Sequence, residues 1–176
     1  EQCGINGAEK ALNLRKGYKW QNSVLVWTYF SRNRYCIFGD QKGTIIGFKE
    51  CHTNSFSGAG TLPGQPTVKP QAGIKVTECV TNFGSIFDYA PSNDPSDEEV
   101  LHDAFANNFF NFKFGVDASG GLLRIQNCIF ARMRPEPVDG VPTGCGISAT
   151  NKCNLIISAK DDPSNNRVMG YTLFDQ

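Results

Sequence analysis

Nothing in this chain supplies the paired cysteines that a zinc ribbon, a zinc finger or a redox dithiol needs. Its seven cysteines lie at 3, 36, 51, 79, 128, 145 and 153, the nearest two, Cys145 and Cys153, are eight residues apart, and His52 and His102 are the only histidines. Structural metal sites draw two ligands from one turn, at spacings of about two to four residues. No apolar run approaches the roughly 18 residues of a membrane-spanning helix. There is no P-loop, no Gly-x-Ser-x-Gly and no dinucleotide fingerprint. Lys+Arg and Asp+Glu both number 17, so no global field draws the chain to nucleic acid or membrane. Two tryptophans stand against thirteen phenylalanines, which points to a core built from Phe rather than a platform of exposed indoles; Trp20 and Trp27 are candidate lectin contacts.

Scattered cysteines without metal spacing fit a disulfide framework in an oxidising compartment. The chain opens at Glu1-Gln2-Cys3 with no initiator Met, and is expected to be a mature, secreted form from which a signal and a pro-segment have been cut. A spacing of eight, with Gly146 and Asn151 inside the loop and Gly144 beside it, can close a Cys145–Cys153 bridge. Cys3 is expected to tie a first helix to Cys36 or Cys51, with Cys79 on another strand of that unit. Cys128, in the apolar run Ile125 to Phe130, is the expected unbridged thiol.

The pattern predicts an α+β first domain over 1–52. In it a helix is capped by Asn6 with Glu9, buried through Ala8, Ala11 and Leu12, and ended at Gly17. The helix covers an antiparallel meander of Val24 to Phe30, Arg34 to Phe38 and Thr44 to Cys51. Residues 53–73, with three prolines and four glycines, read as a linker. Residues 74–176 read as a mainly antiparallel β-sandwich or barrel. Its strands are Ile74 to Val80, Phe109 to Val116 with Phe110, Phe112 and Phe114 on one face, and Leu122 to Met133 after a turn at Asp117 to Gly121. Leu155 to Ala159 and Arg167 to Phe174 flank a hairpin turn at Asp161 to Asn166. One inserted helix, about 96–107, starts at a Ser96/Glu99 capping box and buries Val100, Leu101, Ala104 and Phe105. No internal repeat is visible.

Each candidate for chemistry has a plain structural explanation. Cys51 and His52 are neighbours, and neighbours on a strand face opposite ways. The acidic cluster Asp97, Glu98, Glu99 and Asp103 beside His102 suits the first turn of a helix by its dipole alone. Asp161, Asp162, Asn165 and Asn166 offer oxygen ligands for calcium, yet are also turn formers. Gly115 to Gly121 lies between strands and lacks phosphate-loop spacing. No catalytic residue, cofactor or metal is expected.

A short helix, cysteine-bearing strands, a Pro/Gly connector and a β-rich second half resemble the dual-domain effectors that Fusarium-type plant-pathogenic fungi secrete into xylem. The resemblance implies that Cys3, Cys36, Cys51 and Cys79 belong to a stapled first domain. It also implies a monomeric, non-enzymatic virulence protein that binds host proteins, outside or within host cells, and is open to recognition by plant immune receptors. A cystatin-like protease inhibitor and a cell-wall glycan-binding or hydrolytic protein are the alternatives.

Overall fold

Single residues in the left-handed backbone region cut the apolar runs into short strands. Trp27 (φ 55°), Arg32 (56°), Thr53 (56°), Glu78 (50°), Asn111 (60°), Asn127 (50°) and Arg132 (50°) each stand between two strands. An L-residue adopts this conformation as an isolated corner, not as a run. The computed structural model describes residues 3–15, 19–21, 23–58, 70–84, 106–133, 144–162, 167–169 and 172–175.

Between the corners the chain winds through a repeated circuit of three strands. The first coil holds β1 (Cys3–Asn6), β2 (Lys10–Asn13) and β3 (Lys19–Trp20), with β4 (Val24–Val26) leading to the next. The second holds β5 (Thr28–Ser31), β6 (Tyr35–Gly39) and β7 (Ile45–Gly47), followed by β8 (Glu50–His52). The third holds β9 (Ser55–Ser57), β10 (Ala72–Thr77) and β11 (Val80–Phe83); the fourth, β12 (Asn107–Phe110), β13 (Phe114–Ser119) and β14 (Leu122–Gln126). The fifth holds β15 (Cys128–Ala131), β16 (Cys145–Thr150) and β17 (Asn154–Ser158). A hairpin of β18 (Lys160–Asp162) and β19 (Arg167–Met169) then precedes β20 (Leu173–Asp175).

Corresponding strands of successive coils pair in parallel. Sheet A is β1-β5-β9-β12-β15-β20, sheet B is β2-β6-β10-β13-β16 and sheet C is β3-β7-β11-β14-β17. This is a parallel β-helix, a solenoid in which each coil rests on its neighbours. Strands on both sides of 59–69 enter the same sheets: Ala72 pairs with Tyr35, and Ser55 with Asn108.

In-register stacking puts like residues on top of one another. Register aligns Ile5, Phe30, Phe56, Phe109, Phe130 and Phe174 in one column of sheet A. The five rings stack at centroid separations of 4.7, 4.4, 4.8 and 5.3 Å, with interplanar angles of 20° or less. Each such contact contributes about 0.5–1.5 kcal/mol beyond burial of its area. Glycines in sheet B make room for the rings. A Cβ on Gly73, Gly115 or Gly146 would fall 2.5, 2.3 or 2.7 Å from the Cδ1 of Phe109, Phe130 or Phe174. Columns such as Ile37–Ile74–Val116, and Ile46 and Leu123 on either side of the buried Thr81, fill the other sides.

This architecture replaces the α+β domain and antiparallel sandwich expected from the sequence. Among the described residues there is no helix, so none is long and apolar enough to cross a membrane. Where a helix was expected from Asn6 to Gly17, β1 and β2 pair with β5 and β6 around a left-handed Gly7 (φ 71°). The groups of the expected capping box have other partners: Asn6 Oδ1 accepts from Ser31 Oγ, and Glu9 pairs with Arg34. The long runs Val24 to Phe30, Ile74 to Val80, Phe109 to Val116 and Leu122 to Met133 are each two strands around a corner. Phe112 and Phe109 are fully buried, while Phe110 and Phe114 are half-buried. Asp117 lies within β13, and the turn there is Gly120-Gly121, both left-handed. The expected hairpin near Asp161 is present as the antiparallel pair β18–β19. The helix expected at 96–107 falls outside the described residues up to 105, and Asn107 belongs to β12.

The fold is also not disulfide-stabilised, since all seven cysteines are thiols. Cys36, Cys51, Cys79 and Cys128 are buried in the core. The parallel columns, rather than covalent staples, hold the coils together.

Candidate polyanion-binding face

Buried asparagines anchor the corners on either side of sheet A. Asn54 Oδ1 accepts from the Thr28 N–H at 3.0 Å, and its Nδ2 donates to Leu25 O at 2.6 Å and to Asn107 Oδ1 at 2.8 Å. Asn107 Nδ2 in turn donates to Cys51 O at 3.0 Å. One coil earlier, Asn33 Oδ1 accepts from Ala8 N–H and its Nδ2 donates to Ile5 O, both at 2.8 Å. These asparagines are fully buried and turn backbone groups left over at the corners into paired ones. Rigid corners hold the outward side chains in fixed rows.

On the outer face of sheet B, and at the corner between sheets A and B, those rows carry cations over aromatic rings. Lys10 Nζ sits 3.6 Å above the Phe38 ring. The Arg34 guanidinium lies 5.6 Å from the Tyr35 ring and 3.2 Å from Glu9 Oε1. Tyr35 and Phe38 are tilted rings 5.1 Å apart. In the next rung Lys75, the register partner of Phe38, pairs with Asp117 at 2.6 Å. Lys113 Nζ lies 5.4 Å from the Phe114 ring. Arg32 and Arg132 occupy equivalent left-handed corners three coils apart. Among the described residues the face thus gathers Lys10, Arg32, Arg34, Lys75, Lys113 and Arg132 against Glu9 and Asp117.

A wider charge division underlies this cluster. The described side chains include twelve Lys and Arg but six Asp and Glu, whereas residues 85–105 contain six Asp and Glu and no Lys or Arg. The chain is neutral as a whole and cationic on its coils.

The cysteines and His52 form no reactive constellation. Cys51 and His52 are both buried on β8. The Cys51 thiol faces Asn107 Oδ1 at 3.9 Å, and His52 Nδ1 lies 2.9 Å from Thr53 Oγ1. Burial pushes the Cys51 thiol from 9.0 to about 12, against a backbone hydrogen bond from Gly84 that lowers it. The Cys36 and Cys128 thiols are driven up the same way. Burial raises Cys79, Cys153 and Cys145 too, with the Asp117 charge adding to the shift at Cys145. A thiol held protonated is a poor nucleophile and a poor metal ligand. Burial lowers the His52 pKa, opposed by the Glu50 charge. Among the described residues no group of three or more His, Cys, Asp or Glu is placed to hold a metal.

The remaining sequence candidates are dispersed. Cys3 is exposed on β1; Cys145 begins β16 and Cys153 precedes β17. Cys128 is fully buried against Gln126 O at 3.2 Å. Trp20 packs against the core, whereas Trp27 is exposed. Asp97, Glu98, Glu99, His102 and Asp103 lie outside the described residues, as do Asn165 and Asn166 and the side chains of Asp161 and Asp162. The cationic face was missed because its members are spread from Lys10 to Arg132. A basic excess of eight to four in residues 1–52 was the only signal. No family model, curated protein or solved structure matches this chain.

Proposed function

We propose that this protein is a non-catalytic binding protein for acidic polysaccharide, which lies along the outer face of sheet B and its corner with sheet A. The observation that carries this reading is the cluster, among the described residues, of six cations against two carboxylates on one rigid face of a chain with no net charge. Parallel strands are about 4.8 Å apart, and Lys10, Arg34, Lys75 and Lys113 stand on successive rungs, with Arg34 and Lys113 one place before the Lys10 column and Lys75 three places beyond it. An extended polyanion meets such a band of charge without bending. Tyr35, Phe38 and Phe114 are covered by their own cations or half-buried, which leaves no open ring for a nucleobase to stack upon. That favours a uronate or sulfated glycan over nucleic acid.

The proposal keeps an extracellular setting, where such polymers are met. Buried thiols with raised pKa resist oxidation there because little thiolate forms. It places the partner among glycans instead of host proteins.

The test is retention on immobilised heparin and polygalacturonate, with the triple variant Lys10→Ala/Arg34→Ala/Lys113→Ala beside the parent chain. Retention lost at about 1 M salt, and weakened in the triple variant, is the expected result, since exposed charge pairs are screened at that ionic strength. Equal retention of parent and triple variant, or a preference for single-stranded DNA over both glycans, would sink the proposal.

A further inference from the structure

The outer face of sheet A has the opposite character. Its N-terminal strands and their leading corners, residues 3–6, 27–31, 53–57 and 106–110, contain no Lys, Arg, Asp or Glu. Two large rings stand out of it: Trp27 is 50% exposed and Tyr29 49% exposed. They flank Thr28, which is buried and whose N–H donates to Asn54 Oδ1, so both rings are carried by a pinned segment. Trp27 is the corner that leads into β5 and Tyr29 lies on β5 two positions later, so their backbones are at most roughly 7 Å apart and one extended chain can reach both rings. Gly4 is the register partner of Tyr29 on one side, and a Cβ there would meet nothing within 4 Å. Among the described residues the shelf is unobstructed toward the first coil. On the other side the partner of Tyr29 is Ser55, followed by Asn108, a row of hydroxyl and amide groups.

We infer that Trp27 and Tyr29 form a second, separate binding site, for an uncharged glycan chain whose pyranose rings lie flat on the two aromatic rings. A pyranose presents axial C–H groups from its face and hydroxyls from its edge. The first suit the electron-rich ring faces of Trp and Tyr, and the second suit Ser55 and Asn108. The absence of charge along the strip removes any attraction for an acidic polymer. Two half-exposed rings offer far less than the roughly 800 Å² per side of a stable protein interface, so a protein partner fits poorly. Trp27 holds its indole outward from a left-handed backbone (φ 55°), a conformation that disfavours a bulky residue.

Calorimetric titration with cellohexaose, xylohexaose and mannohexaose tests the site at low salt and again at about 1 M NaCl. Saturable binding of at least one neutral oligosaccharide is expected at both salt concentrations. Trp27→Asn, which suits the left-handed corner, and Tyr29→Ala are each expected to weaken it about tenfold or more. Acrylamide quenching of Trp27 fluorescence should fall when sugar is bound. The Lys10→Ala/Arg34→Ala/Lys113→Ala variant should bind neutral sugar normally, which separates this site from the cationic face. No response to any of the three sugars, or binding unchanged in both aromatic variants, would overturn the inference.

Discussion

Asn54 Nδ2 donates to Asn107 Oδ1 at 2.8 Å between side chains that are both wholly buried, although 53 positions separate them in the chain. The pair lies one coil apart, and each amide also binds backbone at its corner. Replacing Asn54 by Leu keeps the size and deletes the partners of Thr28 N–H and Leu25 O. Each orphaned group costs about 1–3 kcal/mol. Urea denaturation should show a loss of that order, and Asn54→Leu unfolding at the parent midpoint would disprove the role of the ladder.

Gly115 and Gly4 give a matched comparison. Gly115→Ala drives a methyl to 2.3 Å from Phe130 Cδ1 and 2.6 Å from Gly146 O, whereas Gly4→Ala meets open space. Overpacking of this kind costs about 1–3 kcal/mol. The thermal midpoint should fall for Gly115→Ala and stay unchanged for Gly4→Ala. Equal midpoints would mean that the ring column does not press on the glycine column.

Seven thiols and no bridge predict a definite mass. Protein denatured in iodoacetamide without reductant should gain seven adducts. Folded protein should modify fastest at exposed Cys3 and slowest at Cys36, Cys51 and Cys128, which are no more than 1% exposed. Three bridges and a single adduct would reinstate the disulfide framework.

Stability should fall on both sides of a neutral plateau. His52 is lowered from 6.5, so as pH drops below that value the unfolded chain takes up a proton that the native state refuses. Cys51 is raised from 9.0 to about 12, so as pH rises above 9.0 the unfolded chain releases a proton that the native state keeps. Cys36 and Cys128 act in the same direction. Stability rises with pH only where the unfolded state binds more protons, hence the loss at the acid and alkaline ends. The urea midpoint should decline from about pH 9 toward about pH 10.5; a midpoint rising through that range would contradict buried thiols.

Strand content was legible in residue type. The β-branched and aromatic runs at Val24, Arg34, Ile74, Phe109 and Leu122 all became strand, and the polar stretch at Asp161 became a hairpin. The helix expected at Asn6 failed because a capping pattern weighs only nearby residues, while the partners that settled the matter, Ser31 and Arg34, are some 25 positions away. The candidate sites were less legible. Trp20 and Trp27 stand out in the sequence by residue type, whereas nothing local singles out Tyr29 or joins Lys10 to Lys113.

Composition alone determined a Phe-built β core, the lack of metal-ligand spacing and the neutral total charge, because these depend on which residues are present and on their local order. The tertiary structure decided whether the strands run parallel. Alternation along a strand is the same for either neighbour direction, and the coil repeat is hidden by insertions of unequal length at 59–69 and 85–105. Its corners also stand on Trp27, Arg32, Thr53, Glu78 and Arg132, residues without a turn signature. Winding them into register brought Arg32 near the row of Arg132 and set Phe30 above Phe56. A cation row or a ring column exists only once coils stack, since each rung supplies a single member.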